Sequence, residues 1–542
     1  MLRRFLACIF FLLILISISH CGRRGGTLTG GPKDVDPPIL VRSEPENLTT
    51  NFKSDKIRLY FDEYIKLQDV QDQLIVSPPL KYLPEITPQG GAQKYVEIKI
   101  KDTLAPNTTY TLNFGQSIQD NNEGNPSSFL TYVFSTGAYI DSLEVSGVIK
   151  DAFNQKADEF ISVLLYEIDS TYNDSTLYKK PPNYITNTLD STVIFRLKNL
   201  KAGKYAIFAL KDVAKNNIFD QNADKIGYST DTITLPSDSI QLPVLTLFKE
   251  TQDYSSSVPS YASGNKIIFG YYGEENEEIE ISPLTALPDS VKTRVLKEKD
   301  KDSINFWFTP NKIDSILFLV SNVKKKVVDT FNVKRRKVEN DSLKLSPNQN
   351  GSLGFDKPYF ISANTPLVAV DTSKMKMLVK DSLELPFKVN YDTLTNKVDF
   401  DFKKEPEEIY NLELLPGAIT DFFGQTNDTI NYRLNTRSLS DFGTLTLNLK
   451  GAVTYPVVAQ LIDTGGKLVS EEKATDNSPI VFNYIEPAVY LIRVIQDENE
   501  NGKWDTGNFL KRIMPERVSY YPNEIEVRAN WEKNETFTII DQ

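Results

Sequence analysis

Ile57-Arg58-Leu59-Tyr60-Phe61 puts bulky apolar side chains at every second position, and the same period returns as Val96-Ile98-Ile100, Val193-Phe195-Leu197, Tyr205-Ile207-Ala209, Leu445-Leu447-Leu449 and Tyr490-Ile492-Val494. Successive side chains of a strand point to opposite faces, so each stretch reads as a strand with one buried face. Turn clusters such as Asp120-Asn121-Asn122-Glu123-Gly124-Asn125-Pro126 separate them, and beyond residue 38 no stretch sustains an apolar stripe of helical period. The pattern predicts an all-β chain cut into sandwiches. At 542 residues it is too long for one core, which stops growing at roughly 250 to 300 residues, so several domains are expected.

Internal repeats divide it further. Phe61-Asp62-Glu63, Tyr110-Thr111-Leu112, Asp120, Gly124-Asn125 and Tyr132-Val133-Phe134-Ser135-Thr136 pair with Phe355-Asp356-Lys357, Tyr410-Asn411-Leu412, Asp421, Gly424-Gln425 and Tyr432-Arg433-Leu434-Asn435-Thr436. A second pair, Ala202-Gly203-Lys204-Tyr205-Ala206-Ile207 with Asp212 to Asp220, and Pro487-Ala488-Val489-Tyr490-Leu491-Ile492 with Asp497 to Asp505, keeps a constant offset of 285. The expected plan is a signal peptide at 1–20, a flexible tether at 21–38, and sandwiches at 39–137 and 138–250. A β domain of unassigned type follows at 251–337, then second copies at 338–437 and 438–542.

Met1-Leu2-Arg3-Arg4, an apolar run from Phe5 to Ile18, and Ser19-His20-Cys21 read as an export signal ending at a lipoprotein cleavage site, with Cys21 as the lipidated residue. The run is shorter than the ~20 residues of a membrane-spanning helix. Gly22 to Pro38 has almost nothing to bury; at up to ~3.5 Å per residue it could reach on the order of 50 to 60 Å. Cleavage before Cys21 would remove His20, the single histidine, together with Cys8. Without imidazole the chain cannot run Ser/His/Asp or Cys/His chemistry or build a His-rich metal site, and no catalytic residue is expected. One cysteine makes no internal disulfide.

Formal charge is −11, deepening to −13 once Arg3 and Arg4 leave with the signal, which argues against nucleic acid. One basic cluster stands out, Lys324-Lys325-Lys326 with Lys334-Arg335-Arg336-Lys337. It reads either as a solvated hairpin edge whose lysines discourage edge pairing, or as a contact for anionic lipid or a partner protein.

Asp36-Pro37-Pro38-Ile39 through Phe61-Asp62-Glu63, Leu104-Ala105-Pro106-Asn107-Thr108-Thr109-Tyr110 and Tyr132-Val133-Phe134-Ser135-Thr136-Gly137 resemble the bacterial Ig-like domain named after the S-layer protein SbsA. Val145-Ser146-Gly147-Val148-Ile149-Lys150-Asp151-Ala152, with Phe195-Arg196-Leu197 and Leu200-Lys201-Ala202-Gly203-Lys204-Tyr205, is similar to the transthyretin-like sandwich of carboxypeptidase-regulatory and Cna-B domains. The whole is similar to outer-membrane lipoproteins of Bacteroidetes. These resemblances imply spacers or accessory modules without catalytic residues. The Asp-Ser/Thr-aliphatic triplets at Asp102, Asp141, Asp238, Asp302, Asp341 and Asp381 resemble that phylum's O-glycosylation acceptor, or are ordinary turn residues before strands.

The best candidate for chemistry is Asp497-Glu498-Asn499-Glu500-Asn501-Gly502-Lys503-Trp504-Asp505. Asp497, Asn499, Asn501 and Asp505 place oxygens at loop positions 1, 3, 5 and 9, with glycine at 6 for the sharp turn, which is what Ca2+ takes from such a loop. Position 12 is Asn508 where an EF-hand has Glu, and the earlier copy offers Asp212, Ala214, Asn216 and Asp220, overlapped by Asp220-Gln221-Asn222-Ala223-Asp224. The alternative is a pair of turns whose side-chain oxygens satisfy the backbone. Asp62-Glu63 and Glu274-Glu275 with Glu277-Glu278 are the carboxylates a histidine-free glycosidase could use, but strand neighbours face opposite sides. Trp307, Trp504 and Trp531 could stack on sugars or fill cores.

The expected protein is a lipid-anchored outer-membrane protein, its periplasmic face favoured, acting as a semi-rigid arm: a spacer or an accessory subunit of an outer-membrane complex. The rival is a glycan- or peptide-binding lipoprotein, and a histidine-free hydrolase is a third reading.

Overall fold

The computed structural model describes residues 34–542 apart from 128–129, 189–192, 238–241, 275–277, 299–300, 310–312, 381, 394 and 541–542. The export signal, Cys21 and most of the tether lie outside the described residues. The described chain is almost wholly β, with one four-residue helix, Val70–Gln73, and three 3-10 turns. None of its helices is long and apolar enough to cross a membrane.

The described residues form two compact units: one of those up to Val145 with Pro182–Thr186 and Arg196–Gly203, the other of the remainder. In the first unit one sheet runs Leu40–Glu44, Lys56–Leu67, Gln93–Lys99, Glu85–Thr87, and a second runs Ile75–Ser77, Thr109–Asn113, Thr131–Ser135. Leu59 stands opposite Val96 and Ile57 opposite Ile98, so the two alternations coincide and all four side chains are fully buried. They meet Tyr110, Leu112 and Phe134 from the other sheet in one core. The unit reaches past residue 137 because polar contacts hold later chain to it. Asn199 donates its amide to the Asp141 carbonyl (2.9 Å), Thr111 donates to Asn199 Oδ1 (3.1 Å), and Ile185 N–H donates to the Ser77 hydroxyl (3.0 Å).

Four sandwiches make the second unit. Two of them, at about 146–250 and 438–540, share one plan. In the earlier, Ser162–Glu167 pairs with Gly203–Lys211, Lys225–Tyr228 lies on that strand's far side, and Val244–Leu247 runs parallel to residues 148–151. In the later, Val457–Asp463 pairs with Ala488–Gln496, Val518–Tyr520 lies beyond, and Glu532–Ile539 runs parallel to Gly443–Gly451. The 251–337 segment, whose sequence carries no familiar motif, is also a sandwich. Lys266–Tyr272 and Ser303–Phe308 of one sheet face Ile279–Pro283, Ser315–Asn322 and Val327–Lys334 of another. Phe318 meets Phe269 (5.0 Å) and Phe306 (4.9 Å) edge-on between them. Lys324, Lys325 and Lys326 make the turn of its last hairpin, and Lys334-Arg335-Arg336-Lys337 leaves from the opposite end.

The sandwich at about 343–436 repeats the strand order of the first unit: Leu345–Pro347, Tyr359–Ala363, Lys397–Asp401 and Lys388–Asp392 in one sheet, with Met375–Val379, Ile409–Leu414 and Ile430–Asn435 in the other. The repeated residues do the same work in both. The Tyr110 hydroxyl accepts the Ala105 N–H and the Tyr410 hydroxyl the Glu405 N–H, while the Thr136 and Thr436 hydroxyls accept the Thr108 and Glu408 N–H groups, each at 3.0 Å. Asp120 and Asp421 each fold the following turn onto their carboxylates. One expected correspondence is wrong. Ile361 faces Val398 as Leu59 faces Val96, so the counterpart of Phe61 is Ala363. Phe355 lies in a turn before that strand, packed on Tyr484 and Phe442, because a hydrophobic-acidic dipeptide fits a turn as readily as a strand.

Candidate functional site: an Asx-built loop and its clasp

The strand Ala488–Gln496 delivers Asp497 into the interior, 3% exposed, and short polar side chains then fold the next residues back on themselves. Asp497 Oδ1 accepts the Asn501 N–H (3.0 Å) and Oδ2 the Gly502 N–H (2.6 Å), while Asn501 Oδ1 accepts the Lys503 N–H (2.8 Å). Gly502 has φ 76°, and a Cβ there would run into the Lys473 amine. Beneath the loop, Glu516 accepts the N–H groups of Glu498 and Asp505, each at 2.9 Å, and burial holds its carboxyl above the usual range.

The structure brings three of the four expected ligands together. Asn499 and Asn501 both donate amide protons to Asp505 Oδ2, the former at 2.7 Å, whereas Asp497 stays with the backbone. Two carboxylates and two amide oxygens are a suitable donor set for a hard cation, but here hydrogens and not oxygens of the amides face Asp505. Holding Ca2+ would require both amides to turn over. Among the described residues no cluster of three or more His, Cys, Asp or Glu side chains is placed to hold a metal.

The earlier loop has the same build. Asp212 Oδ2 accepts the Asn217 N–H (2.6 Å) and Asn216 Oδ1 the Ile218 N–H (2.8 Å), each 285 positions before its equivalent. Asp224 accepts the Val213 and Asp220 N–H groups, each at 2.8 Å, which is the part Glu516 plays later. Asp224 and Glu516 are 292 apart, and so are Tyr228 and Tyr520, which stand opposite Phe208 and Arg493. The constant offset therefore breaks after Asp505: the later copy carries seven extra residues.

That insert is a clasp. Asn508 and Ile513 pair both ways across a tight turn (2.8 and 2.9 Å) and present Phe509, fully buried, to the 146–250 sandwich. Its ring meets Phe208 at 5.3 Å and Tyr228 at 5.2 Å, both edge-to-face. Its N–H donates to Glu250, which is 3% exposed and whose carboxyl is pushed up by burial. Thr506 donates to the Lys249 carbonyl (2.6 Å), and Arg512 lies over the Phe509 ring (4.5 Å) while pairing with Asp174 (2.6 Å). The exchange is reciprocal. Phe153 of the earlier sandwich sits under Arg493 (4.0 Å) and against Trp504 (4.8 Å), and the Tyr520 hydroxyl donates to its carbonyl (2.8 Å). Equivalent positions, 208 with 228 and 493 with 520, each receive a phenylalanine from the other copy, Phe509 from the insert and Phe153 from the residues that follow the Leu143–Asp151 strand.

Sequence reasoning missed the clasp because one phenylalanine in a polar loop has no periodicity to mark it as core. The break in offset was the available signal. The clasp also corrects the expected arm: within the second unit the last sandwich folds back onto the first. Of the tryptophans, Trp307 is buried, Trp504 is taken up at this seam, and Trp531 is 55% exposed. Asp62 is bound to the Ile39 N–H (2.9 Å), while burial and Asp120 push Glu63 up to about 6.

Residues 34–136 match the family of bacterial Ig-like domains. No curated protein matches the chain. The Ig-like segment covers most of the first unit's described residues. Among solved structures the chain is similar to domains 1–6 of the surface layer protein SbsC, at 11% identity over 90% of this chain and 67% of that one, with a TM-score of 0.14. It is also similar to the I9–I11 tandem of titin (8% identity, 53% and 100%, TM-score 0.12) and to extracellular domains 3–5 of Drosophila OTK (9% identity, 55% and 92%, TM-score 0.13).

Proposed function

We propose that this chain is a non-catalytic, lipid-anchored protein of a Gram-negative envelope, held through Cys21 and serving as an accessory or spacing subunit of an outer-membrane complex. In this reading the two sandwiches joined by the clasp are transthyretin-like. The observation that supports it best is the Ig-like match beginning at residue 34, near the end of the glycine-rich tether that follows an export-type signal. The interlocked sandwiches agree with a building role: their conserved-geometry loops spend their polar groups on the backbone, and their aromatic side chains on one another.

Two experiments test this reading. Cys21→Ala should move the chain from the membrane to the soluble fraction; retention in the membrane refutes the anchor. Purification from detergent-solubilised membranes should yield a stoichiometric membrane-protein partner, whereas a chain that comes away alone and is retained on a glycan array would instead be a binding lipoprotein.

A further inference from the structure

The run Lys334-Arg335-Arg336-Lys337 closes the Val327–Lys334 strand and begins the connection to the next sandwich. Its four side chains line a cleft of about 690 Å3 together with Ser315 and Asp314. All four are exposed, and among the described residues none forms an ion pair. Some other cations of this sandwich are matched: Lys266 meets Asp341 at 3.0 Å and Lys325 meets Glu274 at 3.6 Å. In a chain of net charge −11, four cations facing one lining carboxylate are a local reversal.

The run is also fixed in place. Lys334 stands opposite Ser315, the Arg335 N–H donates to the Asp314 carbonyl (2.8 Å), and the Val338 N–H donates to the Arg336 carbonyl (3.1 Å). Like charges held side by side repel, and an oxyanion with two or more charges relieves them. Guanidinium groups match the geometry of phosphate oxygens, and a hydroxyl such as that of Ser315 can complete such a set. Lysines that merely protect a sheet edge need neither arginines nor a cleft.

We infer that this cleft binds a phosphate-bearing ligand with two or more negative charges, either free or as the headgroup of an anionic lipid. Calorimetry of the full chain with inorganic pyrophosphate tests it. Binding should saturate at one site, weaken as salt rises, and fall roughly tenfold or more in Arg335→Gln/Arg336→Gln. Lys324→Gln/Lys325→Gln/Lys326→Gln, which removes more charge from the other end of the hairpin, should leave it unchanged. Absent saturation, or equal loss in both variants, overturns the inference. Flotation on phosphatidylcholine vesicles with and without phosphatidic acid then separates the sources. Extra binding that needs Arg335 and Arg336 assigns the headgroup; pyrophosphate binding without it assigns a free ligand.

Discussion

Replacing Phe509 by alanine should open the seam between the two copies without unfolding either. The ring is fully buried and makes edge-to-face contacts at 5.3 and 5.2 Å, so its removal takes away the largest apolar side chain that the insert contributes. Phe→Ala in a packed site costs about 3 to 5 kcal/mol. The polar contacts of Thr506, Arg512 and Tyr520 remain, so the loss appears in the local opening equilibrium. At 1.4 kcal/mol per tenfold, that constant should rise by about two to three and a half orders of magnitude. Hydrogen exchange read by mass spectrometry checks this: amides of 506–513 should lose protection, while those of the Leu445-Leu447 strand keep theirs. Phe509→Leu, which retains apolar volume but loses two aromatic pairs worth about 0.5 to 1.5 kcal/mol each, should fall between. Unchanged protection at 506–513 in Phe509→Ala, or equal loss throughout the sandwich, would refute the clasp.

Three further outcomes are expected. Glu250 has a folded-state pKa raised chiefly by burial, so its contribution to the seam is present below the ordinary carboxylate range and is lost as pH rises through the raised value; Glu250→Gln should make protease resistance of 506–513 independent of pH in that window. Glu63, pushed up to about 6 by burial and by Asp120 and Asp62, follows the same sign. Glu63→Gln should raise the first unit's melting temperature above pH 6 and leave it unchanged near pH 4, and a carboxyl titrating at its ordinary value by NMR would contradict this. Tyr110→Phe strips the Ala105 N–H of its acceptor and should cost about 1 to 3 kcal/mol in denaturant unfolding, as Tyr410→Phe should for the Glu405 N–H.

The strands were legible because alternation and burial are the same fact seen twice: Ile57, Leu59, Tyr205, Ile207, Leu445, Leu447, Ile492 and Val494 are all buried as their spacing requires. The paired tyrosines, threonines and aspartates were legible because each satisfies a backbone group that every copy of the fold must satisfy. Phe355 was not, since dipeptide likeness carries no register. Nor was the clasp, whose meaning lies in a surface more than 250 residues away in sequence. The loop at Asp497 was legible as a set of oxygen side chains, but which way the amides of Asn499 and Asn501 turn is decided by Asp505 and not by spacing.

The contact between Glu250 and Phe509 joins residues 259 apart in a chain whose cysteines cannot cross-link its body. It acts as a reversible staple, closing a circuit that contains two whole sandwiches; lengthening such a circuit adds little entropy cost, since closure grows only logarithmically with its size. A single proteolytic nick within 251–437 would therefore leave both fragments held in one particle, and their separation would be governed by the clasp and by the faces packed across the cut rather than by the severed peptide bond.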